Sequence, residues 1–166
     1  THVAYFAGPC NADGSQDDVG GWPRIDLVNA AHTVGTKVIY TFPCFGSSKI
    51  HGILSNPTYR QRAIDTAITA VIEGGADGVD MDWEGLGSQD TDAFTDFIAD
   101  VRAALDAVDP GLELTAALPA GLPAGTANRP AGLVGTSDPF LLHILIPYFR
   151  TRSYTREVSS GVRTVG

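Results

Sequence analysis

Four carboxylates fall within the eight residues from Asp77 to Glu84, and large apolar residues separate the last three of them. This alternation is typical of a β-strand, in which successive side chains point to opposite faces of the sheet. On that interpretation Asp80, Asp82 and Glu84 share one face, while the apolar residues pack against the other. Carboxylates stacked along one strand repel each other unless they share protons or bind a ligand. The stretch is therefore a candidate functional site.

The acidic stretch has three interpretations. A merely solvated strand end is the simplest, but the bulky apolar residues between the acids argue against it. A calcium loop is the second, since Asp80, Asp82, Glu84 and Gly85 stand at its first, third, fifth and sixth positions. Its twelfth position needs a bidentate glutamate, and Thr91 stands there instead. Acid–base catalysis is the third interpretation.

Acid–base catalysis requires acids that a substrate can reach. In α/β folds the active groups collect at the carboxyl ends of parallel strands. Glu84, the last acid before Gly85, is expected at that mouth, with Asp82 and Asp80 progressively deeper. A buried acid beside a like charge keeps its proton at neutral pH, which is what a general acid needs.

The composition limits the class of protein. The chain has 166 residues, close to the usual size of one domain, and a formal net charge of −8. This charge argues against nucleic acid or an anionic membrane as partner, but says little about a neutral ligand such as a sugar. The longest apolar run, from Phe140 to Phe149, is too short to span a bilayer. Because the chain begins without Met, we expect a mature or trimmed segment.

Histidine and cysteine show no metal-binding pattern. The four histidines are scattered along the chain, and the two cysteines, Cys10 and Cys44, lack ligand spacing. We therefore expect neither a metal nor a cofactor. Spacing alone leaves the cysteines as either one disulfide or two buried thiols.

Strands and helices alternate along the chain. Strands are predicted at residues 2–7, 37–42, 77–84, 112–118 and 140–148. Helices are predicted at residues 24–33, 57–73 and 91–108, with a loop over residues 43–55. This rhythm indicates an α/β fold with a parallel sheet, either open and doubly wound or part of a barrel. A closed eight-stranded barrel takes ~250 residues, so the chain is too short for a whole one.

The acidic stretch resembles the Asp-x-x-Asp-x-Asp-x-Glu signature of glycoside hydrolase family 18, the chitinases and their relatives. Other stretches are similar to that family's barrel strands and to the helix before the signature: residues 1–5, 37–41, 114–119 and 144–148 to strands two, three, five and six, and residues 55–62 to the helix. The resemblance implies a partial (β/α)8 TIM barrel with parallel strands and alternating helices. It also implies one partial catalytic domain over residues 1–166.

The resemblance further implies hydrolysis of β-1,4 links in N-acetylglucosamine polymers such as chitin, by a retaining, substrate-assisted mechanism. Glu84 would be the general acid and base, Asp82 would hold the substrate's acetamido N–H, and Asp80 would tune Asp82 from below. Asp77, on the opposite strand parity, would have a structural hydrogen-bonding role. Tyr148 resembles a family tyrosine that binds the acetamido carbonyl.

Three features depart from the family pattern. Where the family's third strand carries a Ser-x-Gly-Gly motif, this chain has Thr-Phe-Pro-Cys at Thr41 to Cys44. Phe149 replaces the Asp after the sixth-strand tyrosine, and Ile146 stands where Met is usual. Nothing resembles the first, seventh and eighth strands. We therefore expect a fragment that needs an assembly partner or further strands to complete a site.

The same acids also fit an endo-β-N-acetylglucosaminidase acting on glycoprotein or peptidoglycan glycans, or a glycan-binding or structural module without turnover. Retention of Glu84 favours an enzyme, whereas the altered sixth-strand motif favours a binding module. The resemblance implies a glycan partner and a secreted or extracellular location. If Cys10 and Cys44 both follow the carboxyl ends of adjacent parallel strands, they come within disulfide reach.

Overall fold

The computed structural model describes residues 1–119 and 141–145. Its strands are His2–Phe6 (β1), Lys37–Phe45 (β2), Gly78–Glu84 (β3), Glu113–Pro119 (β4) and Leu141–Leu145 (β5). Its helices are Ile25–Thr33 (α1), Ser47–Ser55 (α2), Pro57–Gly74 (α3) and Thr91–Val108 (α4), with a short 3-10 helix at Ser88–Asp90. No helix within these ranges is long and apolar enough to cross a membrane.

The five strands form one sheet in the order β1-β2-β3-β4-β5. The first four are parallel, with Ile39 of β2 beside Gly78 of β3, and Gly78 beside Glu113 of β4. Parallel strands in sequential order are the arrangement of a barrel wall, whereas a doubly wound sheet reverses its strand order. The prediction of a partial barrel is confirmed in these four strands.

β5 departs from this arrangement. A further parallel strand was expected over residues 140–148, but Leu141–Leu145 pairs antiparallel with β4, with Leu145 opposite Thr115. That direction corrects the expectation. The edge of β4 carries backbone donors and acceptors that a strand of either direction can satisfy. A run of apolar residues predicts a strand but carries no information on its direction.

The helices cover one face of the sheet, and the hydrophobic core lies between the helices and that face. Trp83 of β3 packs on Phe97 of α4 with ring centroids 4.5 Å apart, and Phe42 of β2 meets Trp83 edge-on at 6.2 Å. These three rings are fully buried, together with Phe94 of α4. The bulky odd-numbered residues of β3 thus face the helices, as the alternation predicted. We call this side the outer face and the opposite side the inner face.

α3 begins and ends where the sequence predicted, and it fixes where β3 starts. Asn56 caps the helix by accepting hydrogen bonds from the backbone N–H groups of Thr58 and Tyr59, at 3.0 and 3.3 Å. Pro57 takes the first helical position, where no N–H is needed. Gly75 ends the helix in the left-handed conformation, with φ of 63°. The chain then enters β3 directly.

Residues 43–55 were predicted as a loop, and this prediction is wrong. The range contains the end of β2 and the helix α2. Ile50, Ile53 and Leu54 are buried at the three- and four-residue spacing of a helix. Glycine within and just before this segment weakened the helical signal, because glycine is a poor helix former.

β2 continues through Pro43, and a disulfide holds its carboxyl end. The carbonyl oxygen of Pro43 points towards β1, where it accepts the N–H of Cys10 at 2.8 Å. β1 has already ended at Phe6, so the missing proline N–H costs no strand pairing. Cys10 and Cys44 form a disulfide with Cα atoms 4.9 Å apart. The predicted disulfide is confirmed, although Cys10 alone lies past the end of its strand and Cys44 belongs to β2.

Candidate active site

The acids of β3 form a row on the inner face of the sheet. Asp80 and Asp82 are almost fully buried, with 2% and 3% of their surface exposed. Glu84, the last residue of β3, is half-buried at the carboxyl end of the strand. The row therefore runs from the interior to the mouth, which is the placement that acid–base catalysis requires.

Asp80 lies between two threonines. Thr41 of β2 and Thr115 of β4 stand beside it in register, so the three side chains share the inner face. The hydroxyl of Thr115 donates a hydrogen bond to Asp80 Oδ1 at 2.5 Å. Thr41 is fully buried. A buried carboxylate is costly unless it is hydrogen-bonded, so this contact holds Asp80 in place below Asp82.

Asp77 lies before β3 and has the structural role that its parity predicted. Its Oδ2 accepts the backbone N–H of Val38 at 2.7 Å and lies 2.8 Å from Nε2 of His32. These contacts tie the start of β3 to β2 and to α1. The first acid of the stretch therefore anchors the strand.

Helix α2 touches the turn that follows Glu84. The backbone N–H of Gly46, just before α2, donates to the carbonyl oxygen of Glu84 at 3.1 Å. Gly85 has a φ of 93°, and a Cβ there would lie 3.5 Å from the nitrogen of Ser47. The positive φ favours glycine at this position, and a Cβ there would only reach ordinary van der Waals contact. The backbone around Glu84 is thus held from the side of β2.

Sequence reasoning missed two aromatic residues on the inner face. Phe45 stands in register with Glu84 and is 41% exposed, and Phe6 stands in register with Thr41 and is 58% exposed. Aromatic walls beside a few polar groups are typical of small-molecule sites. The signal was the period-two alternation of β2, which places Phe45 on the face of Thr41.

The amino end of the inner face carries a different group of charges. Glu113 of β4 pairs with Lys37 of β2 and lies 2.8 Å from Nε2 of His2. Burial raises the pKa of the Glu113 carboxyl, but the hydrogen bond from Lys37 and the charges of Lys37 and His2 outweigh it and hold that pKa below its usual value. This end of the sheet is closed by paired charges.

The calcium-loop interpretation does not fit the structure. Asp80, Asp82 and Glu84 all pair in register with β2, and Asp80 also pairs with β4, whereas an EF-hand ligand set needs a loop that wraps around the ion. Within the part of the chain that the structure describes, no group of three or more His, Cys, Asp or Glu residues is placed to hold a metal ion.

Tyr148, the residue expected to contact the substrate's acetamido carbonyl, lies outside the described residues. So do Ile146 and Phe149 of the altered sixth-strand motif. The structure thus brings together Asp80, Asp82 and Glu84 on one face and adds Phe45 to them.

Sequential parallel strands, helices on the outer face and acids at the carboxyl end of a strand define the class of α/β barrel proteins. Residues 12–131 match the model of Glycosyl hydrolases family 18. The chain belongs to this family.

Individual relatives support the same assignment. The predicted sporulation-specific glycosylase YdhD of Bacillus subtilis is 36% identical over 76 residues, which are 46% of this chain and 18% of the relative. The crystal structure of YdhD superposes with a TM-score of 0.68 at 23% identity, covering 78% of this chain and 43% of that one. A Group IV chitinase of Ostrinia furnacalis in complex with allosamidin gives 0.62 at 24% identity, covering 78% and 38%.

A third structure, the spore cortex-lytic enzyme SleL of Bacillus cereus, gives a TM-score of 0.57 at 21% identity, covering 69% of this chain and 27% of that one. The chain thus spans less than half the length of these relatives. At these identities the structural likenesses establish the fold.

Proposed function

We propose that the complete protein hydrolyses β-1,4 glycosidic bonds next to N-acetylglucosamine, with Glu84 as general acid and base. The observation that carries this proposal is the gradient of exposure along β3, from buried Asp80 and Asp82 to half-buried Glu84. A proton donor must reach its substrate, whereas a charge that acts from behind it is strongest away from water. Family membership supports the reaction class.

In the first step Glu84 gives its proton to the glycosidic oxygen, and the bond between that oxygen and the anomeric carbon breaks. The carbonyl oxygen of the substrate's own acetamido group bonds to the anomeric carbon from the opposite side, which gives an oxazolinium ion. In the second step the Glu84 carboxylate takes a proton from a water molecule. The oxygen of that water attacks the anomeric carbon, and the bond from this carbon to the acetamido oxygen breaks, which opens the oxazolinium ring. Two inversions leave the configuration retained.

Asp82 stabilises the intermediate by accepting a hydrogen bond from the acetamido N–H and by opposing the positive charge of the ring. Its register neighbour on β2 is Pro43, which offers an apolar surface. An apolar neighbour lowers the local dielectric and strengthens this attraction. Asp80, held by Thr115, tunes the charge of Asp82 from below.

Phe45 provides the apolar wall of the sugar site. Its register with Glu84 places the ring on the same face as the acid and at the same height along the sheet. Its partial exposure leaves ring surface available to a ligand. We assign Tyr148 the contact with the acetamido carbonyl, as the family resemblance implies.

A second substrate class follows from the relatives. YdhD is described as a sporulation-specific glycosylase and SleL as a spore cortex-lytic enzyme. These descriptions favour a peptidoglycan glycan as an alternative to chitin, because both polymers present β-1,4 links to N-acetylglucosamine. The same three acids would serve either substrate.

A secreted or extracellular location also belongs to this proposal. The Cys10–Cys44 disulfide joins two segments at the carboxyl end of the sheet. Disulfides persist in oxidising compartments and are rare in a reducing cytosol. This bond supports the location that the family resemblance implies.

The test is Glu84→Gln in the complete protein, assayed on chitin oligosaccharides and on peptidoglycan. We expect hydrolysis to fall by at least ~10³-fold, because the proton donor and base are lost together, while calorimetry shows oligosaccharide binding almost unchanged. Glu113→Gln is the matched control, since it makes the same change on the same face of the sheet. Full hydrolysis by the Glu84 variant would refute the mechanism.

A further inference from the structure

A buried carboxylate outside the acid row lies at the far end of the turn after Glu84. Only 3% of the Asp90 side chain is exposed. Its Oδ1 lies 2.7 Å from Nδ1 of His51 in α2, and its Oδ2 accepts the side-chain N–H of Gln89 at 3.2 Å. Asp90 stands at the N-cap of α4, yet its carboxylate makes no capping bond to that helix. The carboxylate reaches instead to α2.

α2 holds the turn after Glu84 at both ends. At the first end, Gly46, the residue before α2, donates its N–H to the carbonyl oxygen of Glu84, and the backbone nitrogen of Ser47 lies 3.5 Å from where a Cβ of Gly85 would stand. Residues four apart lie on one side of a helix, so His51 is one turn along from Ser47 on the same side. There His51 contacts Asp90, where the turn ends and α4 begins. One helix thus spans the whole turn.

We propose that His51 and Asp90 are positioning residues for Glu84. Their contact fixes α2 against the turn, and α2 in turn fixes the carbonyl of Glu84 through Gly46. Glu84 is the last residue of β3 and pairs with Phe45 of β2, whereas the pairing with β4 ends at Met81. Without the contact between His51 and Asp90, the backbone of Glu84 therefore frays more easily from the geometry that proton transfer needs. We call this link from Asp90 through His51 and α2 to Glu84 the tie. The effect on rate rests on the function proposed above, whereas the tie itself does not.

Histidine suits the role because its ring nitrogen reaches Asp90 from the surface. The His51 side chain is 52% exposed, and its partner is nearly buried. Removing the ring takes away a strong partner of a buried carboxylate, which is costly for the local structure. An asparagine at position 51 carries its amide nitrogen where the histidine carries Nδ1, so it can still donate to Asp90.

The kinetic test compares His51→Ala and His51→Asn in the complete protein. We expect His51→Ala to lower kcat about tenfold with a smaller change in KM, and His51→Asn to restore most of that loss. Arg60→Ala is the control, because Arg60 joins α3 to α4 through Asp100 at 2.7 Å, away from the turn. Wild-type kcat in His51→Ala, or equal losses in both His51 variants, would overturn the proposal.

Hydrogen exchange at the Gly46 amide separates this proposal from the proposed function. We expect His51→Ala to speed exchange of that amide by at least about tenfold, because its bond to Glu84 is loosened, and His51→Asn to leave it near the wild-type rate. If the wild-type protein cleaves neither substrate but exchange follows this pattern, the tie stands and the proposed function fails. Unchanged exchange in His51→Ala overturns the tie whatever the activity.

Discussion

The two ends of the inner face carry glutamates in opposite circumstances. At the amino end, Glu113 is paired with Lys37 and lies beside His2. At the carboxyl end, Glu84 makes no ion pair with any described residue and has the exposed ring of Phe45 as its register neighbour. Both residues belong to parallel strands of the same sheet.

Under the proposed function, the difference separates stability at one end of the sheet from chemistry at the other. Paired charges at the amino end keep the pKa of Glu113 low, so this carboxyl stays charged and fixed at neutral pH. A catalytic acid needs the opposite, a carboxyl that can both give and take a proton. We therefore expect substitutions at the carboxyl end to act mainly on turnover and substrate binding, and those at the amino end on folding.

After Glu84→Gln, the largest expected effect is that of Asp82→Asn in the complete protein. This change keeps the shape of the side chain but removes the charge that, in the proposed mechanism, opposes the oxazolinium ion. We expect kcat to fall by about 10²- to 10³-fold with little change in the free energy of unfolding, measured by steady-state kinetics and urea denaturation. If Asp82→Asn and Glu113→Gln lose activity equally, the contrast between the two ends is wrong.

Loss of the disulfide gives the next largest effect. It is an exception to the contrast between the two ends, because it lies at the carboxyl end but acts on folding. Replacing Cys10 and Cys44 together with alanine releases a crosslink at the carboxyl end. We expect the free energy of unfolding to fall by about 2–4 kcal/mol in denaturant titrations. Reduction of the wild-type protein should give a similar loss. A double variant as stable as the oxidised protein would show that the crosslink contributes nothing.

Phe45→Ala should have a smaller effect, confined to binding. Loss of the ring removes an apolar wall, so we expect the dissociation constant for a chitin oligosaccharide to rise about tenfold. Phe45→Trp should bind near the wild-type level, because it keeps an aromatic face. An unchanged dissociation constant in Phe45→Ala would remove this residue from the site.

Lys37→Met should have the smallest effect, at the amino end. The partly exposed pair with Glu113 contributes at most about 1 kcal/mol to the free energy of unfolding at neutral pH. Because folding lowers the pKa of Glu113, this contribution is fully present above the unfolded pKa of about 4.5 and is lost as the pH falls through the lower folded value. The difference between Lys37→Met and wild type should therefore shrink in acid. A difference that grows in acid would contradict the assignment.

Much of this arrangement could be predicted from the sequence. The alternation of acids and bulky residues around Asp82 identified β3, its two faces and the order of depth, because strand parity is a local property. The capped and glycine-ended pattern of α3 was equally readable. These signals need no knowledge of the neighbouring elements.

The remainder depended on contacts between distant segments. α2 was missed because Gly52 within it and Gly46 before it weakened a helical signal that only packing of Ile50 and Ile53 makes decisive. The predicted direction of β5 was wrong because a pattern of apolar residues does not encode the direction in which strands pair. The contact between His51 and Asp90 joins two helices, so neither residue was distinguished by its own neighbours in the sequence.

The most direct test of the central claim is the configuration of the first product. Proton NMR of a chitin oligosaccharide, recorded within minutes of adding the complete protein, reports the anomer that forms before mutarotation. Substrate-assisted cleavage with Glu84 as acid and base predicts the β-anomer, since two inversions retain the configuration. The α-anomer as first product would contradict the account, because a single displacement by water does not pass through an oxazolinium ion.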